Sequence, residues 1–358
     1  MTIPRVAPFR SAIGPRHARQ ALLVRWTDAD GQWGIGECSC RPDPFFNGEF
    51  VDGAIAVIRD FIFPHLPRRG TVAEVLAVLE RVRGWPFTVA SVLDALFDSR
   101  RRAGHPDPLE AAFPETLAHV PVGISLPLFE APEEAVACVA EAVVDGYRRV
   151  KLKVSPGMTF APLYAVREAF PAIPLGFDAN GSCGEAEWDF LSRLVALRPH
   201  VLEQPFSPRR LDLCVALKAQ HPALRLCLDE SITGLGDVLV ANQLGAMDQI
   251  NLKPGRVGGI VEAVQIMRYA SQQEIPMWVG GMFETGIGRT VGLRVAARLP
   301  GAKAHDLRPP LGYLTADLVT PALTMDSTGQ VPLVDVPVTL DDALLDRYTT
   351  NMVQLERG

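Results

Sequence analysis

Eight short apolar segments recur between residues 120 and 307, and helical segments separate most of them. Strands that are buried on both faces are nearly continuous apolar runs, and most of these segments have that composition. Strands that alternate with helices indicate parallel βαβ units, which can close into a barrel. We therefore predict an α/β fold built on a closed (β/α) barrel. The predicted strands lie in residues 120–126, 149–154, 173–180, 200–206, 224–230, 247–254, 275–281 and 302–307.

Five successive predicted strands, the second to the sixth, each carry one charged residue 24 to 26 residues after the previous one. A single charged residue at a strand end could be the N-cap of the next helix. Five in phase, two of them lysines, are difficult to explain as caps. Active sites of (β/α) barrels lie at the C-terminal ends of the strands, so we predict that the five side chains converge there. They are Lys153, Asp178, Glu203, Asp229 and Lys253.

The three acidic residues of this series indicate a metal site. Asp178, Glu203 and Asp229 lie on three adjacent predicted strands, so their carboxylates can meet. Three carboxylates without a histidine or a thiolate favour a hard cation, Mg²⁺ or Mn²⁺. Such a site leaves coordination positions for substrate oxygens and water. Lys153 and Lys253 would flank it from opposite sides.

Lys151 and Lys153 alternate with apolar residues in RRVKLKVSPG (148–157), so both point to the same face of a strand. A surface strand would also give this pattern, but the in-phase charges favour an enclosed site. Nearby positive charge lowers the pKa of a lysine from its ordinary value of about 10.4. Lys151 and the metal would supply such charge at Lys153, and Arg256 would supply it at Lys253. The implied chemistry is removal of a proton beside a carboxylate, with the metal stabilising the enediolate.

The 358 residues are too many for one small core. Residues 1–117 contain a predicted hairpin in QALLVRWTDADGQWGIGE and several helical segments, which indicates a small α+β domain. The barrel would occupy residues 118–310. The remaining segment, 311–358, is too short for another βα unit, and we expect it to return to the first domain.

Composition excludes several classes of protein. The formal net charge of -6 leaves no basic surface for nucleic acid. No apolar run reaches the roughly 18 residues of a membrane span. The first residues, MTIPRVAPFRSAIG, lack the apolar stretch of a secretory signal. Six scattered cysteines indicate reduced thiols and a cytoplasmic protein, and the nearby pair Cys38 and Cys40 lacks the partners of a zinc site.

The chain resembles the muconate-lactonizing branch of the enolase superfamily, in which a lysine base works with Mg²⁺. The resemblance covers nearly the whole chain and implies an α+β capping domain on a (β/α)₇β barrel of the TIM type. Residues 280–289, 120–126 and 8–14 are similar to the group that contains o-succinylbenzoate synthases and N-succinylamino acid racemases. The motifs shared with the branch are VKLKV, FDAN, LEQPF, CLDES and NLKPGRVGG.

The resemblance implies roles for the five in-phase residues. Asp178, Glu203 and Asp229 match the metal ligands, and Lys153 and Lys253 match two lysines on opposite faces of the substrate. In a dehydration, Lys153 would remove the proton and Lys253 would stabilise the enediolate as a cation. In a racemisation, both lysines would exchange protons.

The resemblance also implies the contacts of a small-molecule carboxylate substrate. Asn180 and Lys151 match groups near the substrate carboxylate. Residues 11–20 match a capping-domain loop that covers the site. Barrels of this branch commonly self-associate, so the resemblance allows a homo-oligomer. The distal succinyl part of the substrate would lie against Ser125, Gly281, Met282 and Phe283.

Two reactions remain open. The synthase dehydrates 2-succinyl-6-hydroxy-2,4-cyclohexadiene-1-carboxylate in menaquinone biosynthesis, whereas the racemase exchanges the α-proton of an N-succinylamino acid or another N-acylamino acid. Arg256 could lie in solvent or could contact Lys253, and the second arrangement favours racemisation, which needs Lys253 to exchange protons. A muconate-type cycloisomerase is less favoured because of the motif at 281–283. A non-catalytic barrel is disfavoured because all five key residues are present.

Four further features give narrower expectations. Glu230 follows a proposed ligand, and we expect it to contact the ligand set from outside. His305 is expected to be a buried barrel histidine. HDLRPPLGY (305–313) lacks the Asp-x-Asp of dipeptide epimerases, and the short N-terminus predicts an abbreviated first strand.

Overall fold

The computed structural model describes residues 1–9, 16–299 and 301–356. The chain begins with two antiparallel hairpins, formed by β1 (Thr2–Phe9) with β2 (Arg16–Gln20) and by β3 (Leu22–Thr27) with β4 (Trp33–Cys38). The second hairpin confirms the one predicted from the sequence. The expected abbreviation of the first strand is wrong, because β1 has 8 residues.

Four helices follow these hairpins: α1 (Val51–Val57), α2 (Val72–Leu79), α3 (Pro86–Arg102) and α4 (Pro108–Ala112). The long helix α3 packs on β4, and two glycines of WGIGE make this approach possible. A Cβ at Gly34 would lie 2.1 Å from the backbone nitrogen of Ser99, and a Cβ at Gly36 would lie 2.1 Å from the carbonyl oxygen of Ser91. Larger residues would therefore separate α3 from the sheet.

The barrel strands follow in chain order. After the short β5 (His119–Pro121), seven parallel strands hydrogen-bond in sequence order, from β6 to β12. They are β6 (Ile124–Leu126), β7 (Val150–Lys153), β8 (Leu175–Asp178), β9 (Val201–Glu203), β10 (Leu226–Leu228), β11 (Gln249–Leu252) and β12 (Met277–Val279).

His305 and Asp306 close the gap between the first and last of these strands. The amide of Gly123 donates to the carbonyl oxygen of His305 at 2.7 Å, and the amide of Asp306 donates to the carbonyl oxygen of Val279 at 2.9 Å. Parallel bridges join Val122 to His305 and Gly280 to Asp306. The predicted eighth strand is thus a pair of bridges instead of a longer ladder. The predicted α/β barrel fold is confirmed.

Seven longer helices connect the strands on the outside: α5 (Pro132–Val144), α6 (Ala161–Ala169), α7 (Trp188–Ala196), α8 (Leu211–Gln220), α9 (Leu235–Leu244), α10 (Ile260–Gln272) and α11 (Gly286–Ala296). Their buried apolar residues form one core with the outward-facing strand residues, such as Leu152 and Phe177. Within the described ranges, no helix combines the length and the apolar character needed to cross a membrane.

The C-terminal segment contains β13 (Val319–Thr320), β14 (Gln330–Pro332), β15 (Thr339–Leu340) and α12 (Asp342–Tyr348). It contacts both the N-terminal part and the barrel. Leu314 bridges to Arg5, while β14 pairs with β5. The Asp335 carboxylate accepts from three arginines, which are Arg101 of α3, Arg294 of α11 and Arg298. The division into 1–117, 118–310 and 311–358 stays a prediction.

Candidate active site

Three carboxylates converge at the C-terminal ends of neighbouring barrel strands. Asp178 ends β8, Glu203 ends β9, and Asp229 follows β10 directly. The register places Asp178 opposite Glu203, so the two side chains lie at one level of the barrel. All three are at most 1% exposed, and one oxygen of each lies within 4.8 Å of the others. The structure therefore brings the three predicted ligands together.

These carboxylates fit a hard divalent cation. Burial, together with the charges of Asp178 and Asp229, raises the pKa of Glu203 to about 8 against the opposing effect of Lys151. Three enclosed acids without an imidazole or thiolate donor are typical of a site for Mg²⁺ or Mn²⁺. Asp178, Glu203 and Asp229 would hold the ion.

Lys153 lies on one side of the carboxylates. Its Nζ donates to Asp178 Oδ2 at 2.7 Å and to Asn180 Oδ1 at 2.6 Å. Asn180, which has a φ of 45°, is oriented by two further bonds, from its backbone amide to Asp178 and from its side chain to Glu230. Asn180 therefore lies at the site, and Glu230 supports it through a 2.9 Å bond to its side chain.

Among the protein's own groups the pKa of Lys153 lies above its ordinary value, whereas the sequence predicts that Lys151 and the metal together lower it. Burial and Lys151 both lower the pKa, but Asp178 outweighs them. The sequence places the positive charge of Lys151 beside Lys153 but does not show the 2.7 Å distance from Lys153 to the Asp178 carboxylate. A lowered pKa would require further positive charge beside Asp178.

Lys253 lies on the other side of the carboxylates. Its Nζ donates to Asp229 Oδ2 at 2.8 Å and lies 3.8 Å from Met282 Sδ. Arg256 is buried and binds the other oxygen of the same Asp229 carboxylate. Its guanidinium also donates to the carbonyl oxygens of Ile232 and Asn251. Lys253 and Arg256 are thus linked through Asp229, and the solvent-exposed alternative for Arg256 is wrong.

Lys151 lies deeper in the barrel than Lys153. Its Nζ is 2.6 Å from Glu203, 2.8 Å from Asp306 and 3.6 Å from Asp178. Its predicted contact with a substrate carboxylate stays a prediction. Asp306, which also binds Arg149 at 2.7 Å, was missed in the sequence. The available signal was its position 53 residues after Lys253, which corresponds to two βα repeats.

Two buried amides were also missed. Asn251 donates to Glu203 Oε1 at 3.0 Å, from the position two residues before Lys253. Gln204 has a φ of 38°, and its side-chain oxygen accepts from the amides of Asp229 and Ser231 at 2.9 and 3.1 Å. The strand period of two residues could have identified Asn251, since Lys151 has the same relation to Lys153.

The residues expected to bind the distal part of a substrate lie on two sides of the barrel mouth. Ser125 is on β6, next to Lys151 in the register, and its buried Oγ has no hydrogen-bond partner among the described residues. Gly281, Met282 and Phe283 lie between β12 and α11, and Met282 approaches Lys253. Phe283 has a φ of 62° and its ring packs edge-on against a tyrosine. Their predicted contacts with substrate stay predictions.

Three further features lie around the site: a buried histidine, an ion pair and the segment predicted to cover the site. His305 is fully buried, as expected, and its Nδ1 accepts from the amide of Val279 at 3.0 Å. Glu284 and Arg289 form an ion pair of 2.9 Å at the start of α11. Of the covering segment predicted at 11–20, residues 16–20 form β2, while 11–15 lie outside the described residues.

The chain is similar over its full length to proteins of known family. A family model described as Enolase C-terminal domain-like matches residues 134–337. The chain is 30% identical to the o-succinylbenzoate synthase of Listeria innocua, with 99% of this chain and 96% of that protein covered. It is 35% identical to the N-succinylamino acid racemase of Thermus thermophilus, with 98% and 95% covered. A solved member of the Enolase superfamily from Listeria innocua has a TM-score of 0.91 at 30% identity, covering 98% of this chain and 95% of that one.

Proposed function

Because this chain belongs to the enolase superfamily, we propose that it is a Mg²⁺-dependent o-succinylbenzoate synthase. It would dehydrate 2-succinyl-6-hydroxy-2,4-cyclohexadiene-1-carboxylate, the reaction that supplies o-succinylbenzoate for menaquinone. The similarity to the Listeria innocua synthase along the whole chain supports this choice of substrate. The reaction removes a proton from the carbon beside the substrate carboxylate, and the site has the groups that this step needs.

The observation that carries the proposal is the arrangement of two lysines around three carboxylates. Lys153 on β7 binds Asp178, and Lys253 after β11 binds Asp229, with Glu203 on the strand between these two acids. A substrate carboxylate held at this set would have one ammonium or amine group on each side. That is the geometry needed to move a proton at the adjacent carbon.

The choice of lysine at these positions is itself informative. The chain has 35 basic residues of the lysine and arginine types, and only five of them are lysines. Three of those five, Lys151, Lys153 and Lys253, lie at the carboxylates. Arginine cannot release its proton in proteins, whereas lysine can. A purely structural cluster would accept arginine, so the lysines favour proton transfer.

In the dehydration, Lys153 removes the proton beside the carboxylate, and Lys253 remains protonated to stabilise the negative charge of the enediolate. The hydroxyl group then leaves from the same face, and Lys153 returns its proton to it, so that water is released. Asp178, Glu203 and Asp229 would hold the cation, which when bound would supply positive charge for the substrate carboxylate and would lower the pKa of Lys153. Asn180 fixes the Lys153 ammonium through its 2.6 Å bond.

A second candidate is N-succinylamino acid racemase, in which both lysines exchange protons at the α-carbon. The buried Arg256 favours it, because Arg256 and Lys253 share the Asp229 carboxylate. The positive charge of Arg256 weakens the hold of Asp229 on the lysine proton, which facilitates its transfer. The similarity to the Thermus thermophilus racemase supports this alternative.

We also propose a cytoplasmic location, because all six cysteines are free.

The test is the loss of the cyclohexadiene's ultraviolet absorbance with and without Mg²⁺, compared between the wild type, Lys153→Ala and Lys218→Ala. Lys218 pairs with Asp248 on the outside of the barrel and serves as the matched control. The proposal expects rapid Mg²⁺-dependent loss in the wild type and the control, and a decrease of about 10³-fold or more in Lys153→Ala. No absorbance loss in the folded wild type would exclude the synthase.

The same proteins, together with Lys253→Ala, then decide on the racemase. N-succinylamino acids are incubated in D₂O, and α-proton exchange is followed by NMR. A racemase exchanges the α-proton of both enantiomers, and each of Lys153→Ala and Lys253→Ala should lose exchange with one enantiomer only. Exchange that both variants retain would contradict the two-lysine arrangement.

A further inference from the structure

Glu37 connects the N-terminal hairpin to the barrel next to the proposed substrate pocket. It lies on β4, is 2% exposed and projects towards the start of α11. Its carboxylate accepts from the amide of Thr285 at 2.9 Å, from the Thr285 hydroxyl at 2.7 Å and from the amide of Gly288 at 3.2 Å. The two amides are among the free backbone donors at the N-terminus of α11, where a negative charge is also favoured.

These bonds define one end of the segment that contains Gly281, Met282 and Phe283. The segment leaves the barrel wall after β12 and enters α11 after Thr285. Between them, Glu284 accepts from the amide of Met282 at 2.7 Å. The backbone of Met282 therefore depends on the conformation of 284–285, which Glu37 fixes from outside the barrel.

Glu37 lies between two close neighbours, Gly288 of α11 and Arg19 of β2. A Cβ at Gly288 would lie 2.9 Å from Glu284 Cβ and 3.1 Å from Glu37 Oε2, so the close approach favours glycine. Arg19 of β2 lies 3.4 Å from Glu37 Oε1 and donates to the carbonyl oxygens of Cys38 and Cys40. Burial raises the pKa of Glu37 to about 7 against the opposing effect of Arg19. Above this pH the carboxylate is ionised, and Arg19 compensates its charge and holds it in its orientation.

We propose that Glu37 is a positioning residue for the substrate pocket. It shapes the pocket by fixing the 281–285 segment against the N-terminal hairpin. The inference rests on the proposed function for its kinetic consequence and on the hydrogen bonds alone for its structural consequence. Bonds to an ionised acceptor are about twice as strong as neutral ones. Replacing the carboxylate by an amide removes that charge and places an N–H₂ group against existing donors.

The test uses Glu37→Gln and a matched control, Glu49→Gln, in the full-length protein. Glu49 is also fully buried and accepts from two amides and a hydroxyl at the start of α3, all at 2.9 Å. Its partners Phe87 and Thr88 start α3, so its loss weakens a helix start of the same kind without removing a hydrogen bond of residues 281–288. A general loss of stability affects both variants.

Two measurements are made on each variant at a pH well above the Glu37 pKa of about 7, where its carboxylate is ionised. Hydrogen exchange of peptides covering 280–290 should accelerate at least about tenfold in Glu37→Gln relative to Glu49→Gln. With the substrate that the wild type converts, KM should rise at least about tenfold in Glu37→Gln, by more than kcat falls, because the loss of one charge-assisted bond has that size. Glu49→Gln should keep the wild-type KM.

Unchanged exchange at 280–290 in Glu37→Gln overturns the inference, and so does an equal rise of KM in both variants. A wild type that converts neither substrate refutes the proposed function. Hydrogen exchange still decides in that case whether Glu37 positions the segment, so the two failures are distinguishable.

Discussion

Lys151 allows a direct test of how positive charge compensates the buried carboxylates at the barrel mouth. Its Nζ lies between Glu203, Asp306 and Asp178, and it is 3% exposed. Burial lowers the pKa of Lys151, but these three carboxylates outweigh burial and hold it above its ordinary range, so the residue is charged. Replacing it by methionine keeps much of the volume and removes the charge.

The size of the effect follows from the contacts. Removing one partner from a buried ion pair costs about 3–5 kcal/mol, because the remaining charge stays buried without compensation. We expect Lys151→Met to lower the free energy of unfolding by about that amount in the absence of divalent cations. Asp178 and Glu203 belong to the proposed Mg²⁺ site, so added Mg²⁺ should stabilise the variant more than the wild type.

Urea unfolding monitored by circular dichroism, with EDTA or with Mg²⁺, measures both effects. Lys218→Met is the control, because Lys218 and its partner Asp248 are partly exposed and such pairs contribute about 1 kcal/mol or less. The reasoning is refuted if Lys151→Met is as stable as the control, or if Mg²⁺ stabilises it no more than the wild type.

Three further predictions concern the packing around the barrel. Burial raises the pKa of Asp94 from 3.8 to about 8. The contribution of Asp94 to the free energy of unfolding therefore decreases by about 1.4 kcal/mol per pH unit as the pH rises between these values. Asp94→Asn should remove this part of the pH dependence, measured by urea unfolding across pH 5 to 8. Asp335→Asn weakens the bonds from three arginines and should cost about 1–3 kcal/mol, measured by the urea midpoint. Gly36→Ala should lower the Tm because its Cβ would meet the Ser91 carbonyl at 2.1 Å, whereas Gly48→Ala, with no atom within 4 Å, should not.

The barrel could be predicted because its evidence is local. Each strand is a short apolar run, each repeat has a similar length, and burial on both faces produces both features. The closure of the barrel and the bounds of its first strand could not be predicted in detail. Val120 pairs with Val331, more than 200 residues later, so residues 120–126 divide into β5 and β6. Such pairing depends on tertiary structure and leaves no periodic signal.

The candidate site could be predicted where its residues repeat in phase with the strands. Gln204 was missed because its role depends on a positive φ and on bonds to the backbone of the next strand. The position of Arg256 was left open because it lies in a loop, where sequence does not define direction. The raised pKa of Lys153 was also missed, since it depends on a distance of 2.7 Å to Asp178 that spacing alone cannot give.

The three carboxylates are held in two different ways, and the difference has a chemical consequence. Both oxygens of Glu203 are bound from deeper in the barrel, by Lys151 at 2.6 Å and by Asn251 at 3.0 Å. Asp178 and Asp229 each bind one of the two lysines expected to move protons. The central acid is therefore fixed by the scaffold, while the outer two are each coupled to a different lysine. Positive charge that enters among these acids weakens the hold of Asp178 and Asp229 on their lysines at the same time. Cation binding and the readiness of Lys153 and Lys253 for proton transfer are thus coupled through the same two side chains.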